Sequence, residues 1–102
     1  MSYLPCELHC HTLHSDGAFS VEELQMAAVE DHLSLIALTD HNTMSGWDEL
    51  DDSVVPAIRG IEWTTYFGHM LVLGAGDFVD WRDAVPDNID EKIKQIKACG
   101  GL

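Results

Sequence analysis

Positive charge is scarce in this sequence. Five Lys and Arg stand against eighteen Asp and Glu in 102 residues, for a formal net charge of −13. A surface this acidic repels phosphate backbones and anionic headgroups, which argues against a broad nucleic-acid-binding surface. It still permits a phosphorylated substrate, because bound divalent cations reverse the field inside a site. No stretch approaches the roughly 20 apolar residues that a membrane helix needs, so no membrane association is expected. The start, Met1-Ser2-Tyr3-Leu4-Pro5-Cys6-Glu7, lacks a basic segment followed by an apolar run, and no targeting peptide is expected. The three cysteines form no regular framework. Cys6 and Cys10, on an expected strand, would lie about 13 Å apart, too far for a disulfide. A reducing, cytoplasmic setting is therefore expected. Hydrophobic residues at 46% and charged residues at 23% are ordinary globular values, and the length allows one domain at most.

What the chain does have is six histidines, and their placement follows a coarse reading of the elements. Leu4 to His11 alternates, which predicts a strand with Leu4, Cys6, Leu8 and Cys10 on one face and Glu7, His9 and His11 on the other. Thr12 to Phe19 reads as a loop. Ser20 and Glu23 form a capping box ahead of a helical stripe of Val21, Leu24, Ala27 and Ala28, predicting a helix over 21–32. Leu33 to Thr39 reads as a buried parallel strand, and 43–50 as a short helical turn. Val54 to Trp63 reads as a strand in which Gly60 marks a kink or close approach. His69 to Leu73 is another strand, Asp77 to Asn88 an acidic loop anchored by Trp81. Asn88 and Glu91 frame a final helix with Ile89, Ile93 and Ile96 on one face, closed by Gly100-Gly101. This order predicts an α/β fold with a mostly parallel sheet.

Four signals carry chemistry. His9 and His11 leave one strand face about 6.6 Å apart, near enough to converge on one ion. Ser15-Asp16-Gly17 puts a carboxylate in the turn just beyond. Thr39-Asp40-His41 ends a buried strand, where sites gather in parallel α/β folds. Gly60-Ile61-Glu62 ends the next, followed by Gly68-His69, and one carboxylate can bridge two cations. Each has an ordinary explanation when taken singly: solvated strand histidines, an Asp-Gly turn, a helix cap, a surface charge. The case for a site rests on His9, His11, Asp16, His41, Glu62 and His69 all falling at strand ends or turns. His14 is open between metal ligand, substrate contact and solvated side chain. His32 reads as a helix-end or solvent residue, Cys6 and Cys10 as core, and Trp47 and Trp63 as packing anchors. Arg59 reads as half of a surface ion pair. Lys92, Lys94 and Lys97 read as a solvated helix face.

Together, His-x-His, Ser-Asp-Gly, Thr-Asp-His, Gly-x-Glu and Gly-His resemble the PHP (polymerase and histidinol phosphatase) superfamily, from about Glu7 to Gly74 and in pattern through Leu102. The segments Ile61-Glu62-Trp63-Thr64-Thr65, Gly68 to Gly74 and Asp80-Trp81-Arg82 are similar to a branch that includes carbamate-ester hydrolases. The resemblance implies a distorted seven-stranded (β/α)7 TIM-like barrel with two or three divalent ions, zinc, manganese or iron, at the strand ends. Carried over, His9 and His11 would bind the first ion and Glu62 would bridge the first and second. His69 would bind the second, and Asp16 and His41 a third. Asp40 would orient a ligand, and a metal-bound hydroxide would be the nucleophile.

The family pattern continues with a further metal-binding His or Cys and a late Asp-x-His, which are not found here. A (β/α) barrel takes about 250 residues, so residues 1–102 are expected to be a single partial PHP domain, the N-terminal portion of such a barrel. The expected function is a metal-dependent phosphoesterase acting on a small phosphorylated substrate. The alternatives are hydrolysis of a carboxylic or carbamate ester at the same ions, or a non-catalytic metal-binding fragment. The exposed edges of a partial barrel also predict a homo-oligomer.

Overall fold

The computed structural model describes residues 4–74, 76, 82 and 84–102. Trp81, Asp80 and most of the acidic stretch that begins at Asp77 lie outside the described residues. The chain forms a curled four-stranded sheet in the order β1 (Cys6–Cys10), β2 (Leu35–Leu38), β3 (Ala57–Thr65) and β4 (Gly68–Leu73). The first three strands are parallel, and β4 returns antiparallel to β3. Helix α1 (Val21–Glu30) connects β1 to β2, a short 3-10 turn at Trp47–Glu49 lies between β2 and β3, and α2 (Ile89–Ala98) follows β4. The expected α/β class and mostly parallel sheet are what the structure shows.

Local chemistry explains the helix ends. The Ser20 hydroxyl accepts from the Glu23 N–H at 3.1 Å, and the Glu23 carboxylate accepts from the Ser20 N–H at 3.2 Å. This reciprocal cap fixes the start of α1 and is typically worth about 1 kcal/mol. The helix ends at Glu30, two residues before the sequence reading, because His32 adopts a left-handed φ of 57°. At the end of α2, Gly100 takes a φ of 89°, and Gly101 donates back to the Ile96 carbonyl at 2.9 Å. That is the glycine termination the sequence suggests. Asn88 contributes differently than expected: its side chain accepts from Val85 N–H rather than capping α2.

One core cluster joins Val21 of α1, Leu38 of β2, Trp47, Trp63 of β3, Val72 of β4 and Ile96 of α2. A smaller cluster joins Ala28, Ile36 and Val55. Trp47 and Trp63 are packing anchors, as expected, and the Trp47 indole donates to the Gly60 carbonyl at 3.0 Å. A Cβ at Gly60 would lie 2.5 Å from the Val72 carbonyl oxygen, across the β3–β4 pair. Gly60→Ala is therefore expected to force the hairpin apart and destabilise the chain by about 1–3 kcal/mol, the usual cost of overpacking. Urea denaturation checks this, and an unchanged midpoint refutes it.

Three expectations are corrected. Strict alternation fails along β1. Cys6 pairs in register with Leu35 and Cys10 with Leu38, which are positions of opposite parity on β2, because β1 carries an extra residue between Glu7 and Cys10. Cys10 is thus buried, while Cys6 and Leu8 on β1, and Leu4 just before it, are exposed; among the described residues β1 is paired on one side only. Burial pushes the Cys10 thiol up to about 11, with the charges of Glu7 and Asp40 adding and a backbone hydrogen bond at His9 opposing. Finally, Lys92 is buried, as Ile96 one turn on is, leaving Lys94 and Lys97 as the solvated pair. Its aliphatic stem suits such a position. Arg59 does form the expected surface ion pair, with Asp52 at 3.5 Å.

Candidate metal centre

Parallel pairing sends the carboxyl ends of β1, β2 and β3 to one edge of the sheet. His9 lies at the end of β1 and His11 just beyond it, while Glu62 lies toward the end of β3. His41 continues the line of β2 through a parallel bridge to Glu62. There the Glu62 N–H donates to the Asp40 carbonyl at 3.1 Å, and its own carbonyl accepts from the Asn42 N–H at 3.1 Å. Because β4 runs the other way, its start returns to the same edge, with His69 directly opposite Thr64. Topology alone therefore gathers residues from four segments.

Glu62 is the hub. Its side chain is only 9% exposed. Oε1 contacts His9 Nε2 directly and lies 3.2 Å from His11 Nε2. Oε2 lies 3.3 Å from His69 Nδ1 and 3.8 Å from His41 Nδ1. Burial pushes its carboxyl up, but the His9 hydrogen bond and the charges of His41, His9 and His11 outweigh that, so it sits below the ordinary carboxylate value. The second carboxylate, Asp16, is exposed and lies 3.3 Å from His41 Nε2 and 3.8 Å from His11 Nδ1. The His11 and His41 rings stack, with centroids 4.5 Å apart and planes 4° from parallel.

Among the described residues, three trios have potential ligand atoms within 4.8 Å of one another: His9-His11-Glu62, His11-Asp16-His41 and His41-Glu62-His69. All six residues singled out from the sequence thus meet in one cluster. The donor set, imidazole nitrogen with carboxylate oxygen, suits zinc, manganese or iron. His11 Nδ1 is buried without a hydrogen-bond partner. A buried polar nitrogen left unsatisfied is costly, and its position facing Asp16 fits a bound cation there.

The surrounding residues hold this arrangement. Asp40, 1% exposed, accepts from Thr12 N–H at 2.6 Å, Thr12 Oγ1 at 2.8 Å and Ser15 Oγ at 2.7 Å. It acts on the loop that carries Asp16 rather than on a histidine ring. Gly17 lets that loop close: a Cβ there would lie 2.3 Å from the His11 carbonyl oxygen. His14 stands apart from the trios. Its Nδ1 meets Ser45 Oγ at 2.7 Å and its Nε2 contacts Glu49, so it joins the 12–17 loop to the segment after β2.

Two contributors, Asn42 and Thr64, are not among the site residues singled out from the sequence. Asn42 takes a left-handed φ of 55°. From there its side-chain amide accepts from Thr64 N–H at 2.8 Å and donates to the Thr64 carbonyl at 3.1 Å. It thereby imitates a neighbouring strand. Asparagine's tolerance of positive φ was the available clue. Thr64 in turn places its hydroxyl 2.5 Å from His41 Nδ1 and 3.0 Å from His69 Nδ1.

A curled, mostly parallel sheet with histidines and carboxylates at its carboxyl edge defines a class of barrel-type proteins with strand-end sites. Residues 7–99 match the PHP domain, and the chain belongs to that family. Over 63 residues it is 36% identical to a 5'-3' exoribonuclease of Haemophilus influenzae, covering 58% of this chain and 23% of the relative. Among solved structures, it superposes with a TM-score of 0.78 on a two-domain protein from Bacteroides vulgatus that contains a predicted PHP-like metal-dependent phosphoesterase. That match is 21% identical and covers 97% of this chain and 33% of the other, so it speaks to the fold. A protein from Bifidobacterium adolescentis assigned as a metal-dependent phosphoesterase matches with a TM-score of 0.66 and 28% identity, covering 78% of this chain and 30% of that one. The matches thus cover 23–33% of the length of these proteins. Among the described residues, no helix is long and apolar enough to cross a membrane.

Proposed function

We propose that the cluster is a divalent-metal centre and that this chain serves the hydrolysis of a small phosphate ester. The observation that carries this reading is the convergence of three ligand trios on shared residues, with Glu62 offering one oxygen to each side. His9, His11 and Glu62 would hold a first ion, Glu62 and His69 a second, and Asp16 with His41 a third. Bound there, such ions would activate water at neutral pH and neutralise the charge that develops on phosphoryl oxygen.

The chain's own residues support that chemistry in definite ways. Glu62 supplies the shared negative charge from a buried position, where its interactions are screened least. Asp40 holds the Asp16 loop in place. His9 and His69 are about half exposed, which leaves the cluster open to a ligand from solvent. Cations also answer the electrostatic problem of a −13 chain that receives an anion.

The test is a panel of phosphomonoesters, phosphodiesters and aryl carboxylic or carbamate esters, assayed with Zn²⁺ or Mn²⁺ and again after chelation. Turnover of phosphate esters that chelation abolishes is expected. Turnover of carboxylic or carbamate esters alone overturns the phosphoesterase reading and favours the ester hydrolase alternative.

A further inference from the structure

The trios cannot all be filled as they stand, because two of their histidines are counted twice. His41 presents Nε2 toward Asp16 and Nδ1 toward Glu62. His11 presents Nδ1 toward Asp16 and Nε2 toward Glu62. A neutral imidazole has one lone pair, since its other nitrogen carries the proton. Each of these rings can therefore ligate on one side only, and something must decide which. For His11, Nε2 lies 3.2 Å from Glu62 Oε1, whereas Nδ1 is buried without a hydrogen-bond partner and lies 3.8 Å from Asp16. For His41 the two nitrogens differ sharply: Nδ1 meets the Thr64 hydroxyl at 2.5 Å, whereas Nε2 faces the Asp16 carboxylate at 3.3 Å.

We propose that Thr64 is a positioning residue that commits His41 to Asp16: its hydroxyl engages His41 Nδ1 and leaves Nε2 as the ligating nitrogen. This inference rests on the metal reading of the cluster and specifies how its ligands are divided. A histidine that ligates through one nitrogen characteristically donates from the other, which fixes both its tautomer and its ring orientation. Thr64 is built for that task. Its backbone is pinned on both sides by the Asn42 amide, and its branched side chain has few rotamers. It also pairs across the hairpin with His69, whose Nδ1 lies 3.0 Å from the same hydroxyl. His41 Nδ1–H donates to that oxygen, and His69 Nδ1, the nitrogen that faces Glu62, keeps its lone pair for that side.

The consequence is an ordered division of ligands. With Thr64 in place, His41 serves the Asp16 side, and the Glu62–His69 side is left without it. Without the hydroxyl, His41 Nδ1 is free to turn its lone pair to the Glu62–His69 side. Thr64→Val keeps the shape and strand preference of the residue and removes only the hydroxyl; Thr64→Ser restores it.

The experiment uses the full 102-residue chain, Zn²⁺ titrated by calorimetry, and long-range ¹H–¹⁵N spectra of the imidazoles. In the Zn²⁺-loaded wild type, His41 is expected as the Nδ1–H tautomer. Thr64→Val should lose that signature and weaken Zn²⁺ binding on the Asp16 side by about 10–100-fold, the usual range for an outer partner. Thr64→Ser should recover both. A wild-type His41 found as the Nε2–H tautomer when loaded overturns the proposal, as does a Thr64→Val chain with unchanged tautomer and affinity. A wild type that takes up no Zn²⁺ overturns the metal reading itself and the proposal with it, whereas Zn²⁺ uptake indifferent to Thr64 overturns the proposal alone.

Discussion

Glu62→Gln is expected to cost the chain more of its Zn²⁺ affinity than any other single change at the cluster. The carboxylate belongs to two of the three trios, with Oε1 facing His9 and His11 and Oε2 facing His41 and His69. Glutamine keeps the volume but gives up the charge, and it replaces one acceptor oxygen with a donor that no cation can use. The loss should exceed the roughly 10–100-fold typical of removing an outer partner, because here a shared ligand itself is lost. The fold should survive, since the Glu62 backbone still bonds Asp40 and Asn42 on either side. Calorimetric titration with Zn²⁺, with circular dichroism as the folding control, checks both halves. A folded Glu62→Gln chain with wild-type affinity and stoichiometry would place the centre elsewhere.

Asp40→Ala is expected to give the largest loss of stability, about 3–5 kcal/mol. Asp40 is fully buried, and its carboxylate accepts from the Thr12 amide, the Thr12 hydroxyl and the Ser15 hydroxyl. Bonds to a charged acceptor are worth about 1.5–3 kcal/mol each, and buried donors left without a partner cost about 1–3 kcal/mol. These terms share one group and do not add fully. Set against a typical domain stability of about 5–15 kcal/mol, such a loss brings the chain close to unfolding. Urea denaturation without metal isolates this structural role. A loss under about 1 kcal/mol would show that water replaces the carboxylate.

The site was more legible in the sequence than its supports. His9, His11, His41 and Glu62 could be found because each sits at the end of an apolar or alternating run, and parallel strands send such ends to one place. Asp16 could be found from its turn, and His69 from the start of the returning strand. The α/β order followed from the capping box at Ser20 and the buried run before Asp40. The rest depended on contacts that no local period encodes. The extra residue in β1 breaks an alternation that looks perfect on paper, and only its pairing with β2 reveals it. Cys6 and Lys92 exchange their expected places because a neighbouring element, rather than residue type, decides which face is covered. Asn42 and Thr64 find each other only in the fold, from the segment after β2 and from β3.

The gathering of ligands from four segments gives the cluster a second meaning on the metal reading. An ion bound to His9, His11 and Glu62 would clasp the first strand to the third, closing a long stretch of chain whose ends otherwise meet at an entropic cost. The unfolded chain offers no such ready-made set of ligands, so binding would favour the folded form by about 2.7 kcal/mol at a free-ion concentration 100 times the Kd. Among the described residues β1 has a partner strand on one side only, and it would gain most from such a clasp. Metal supply would then govern how much of this chain is folded, and depletion would appear as melting.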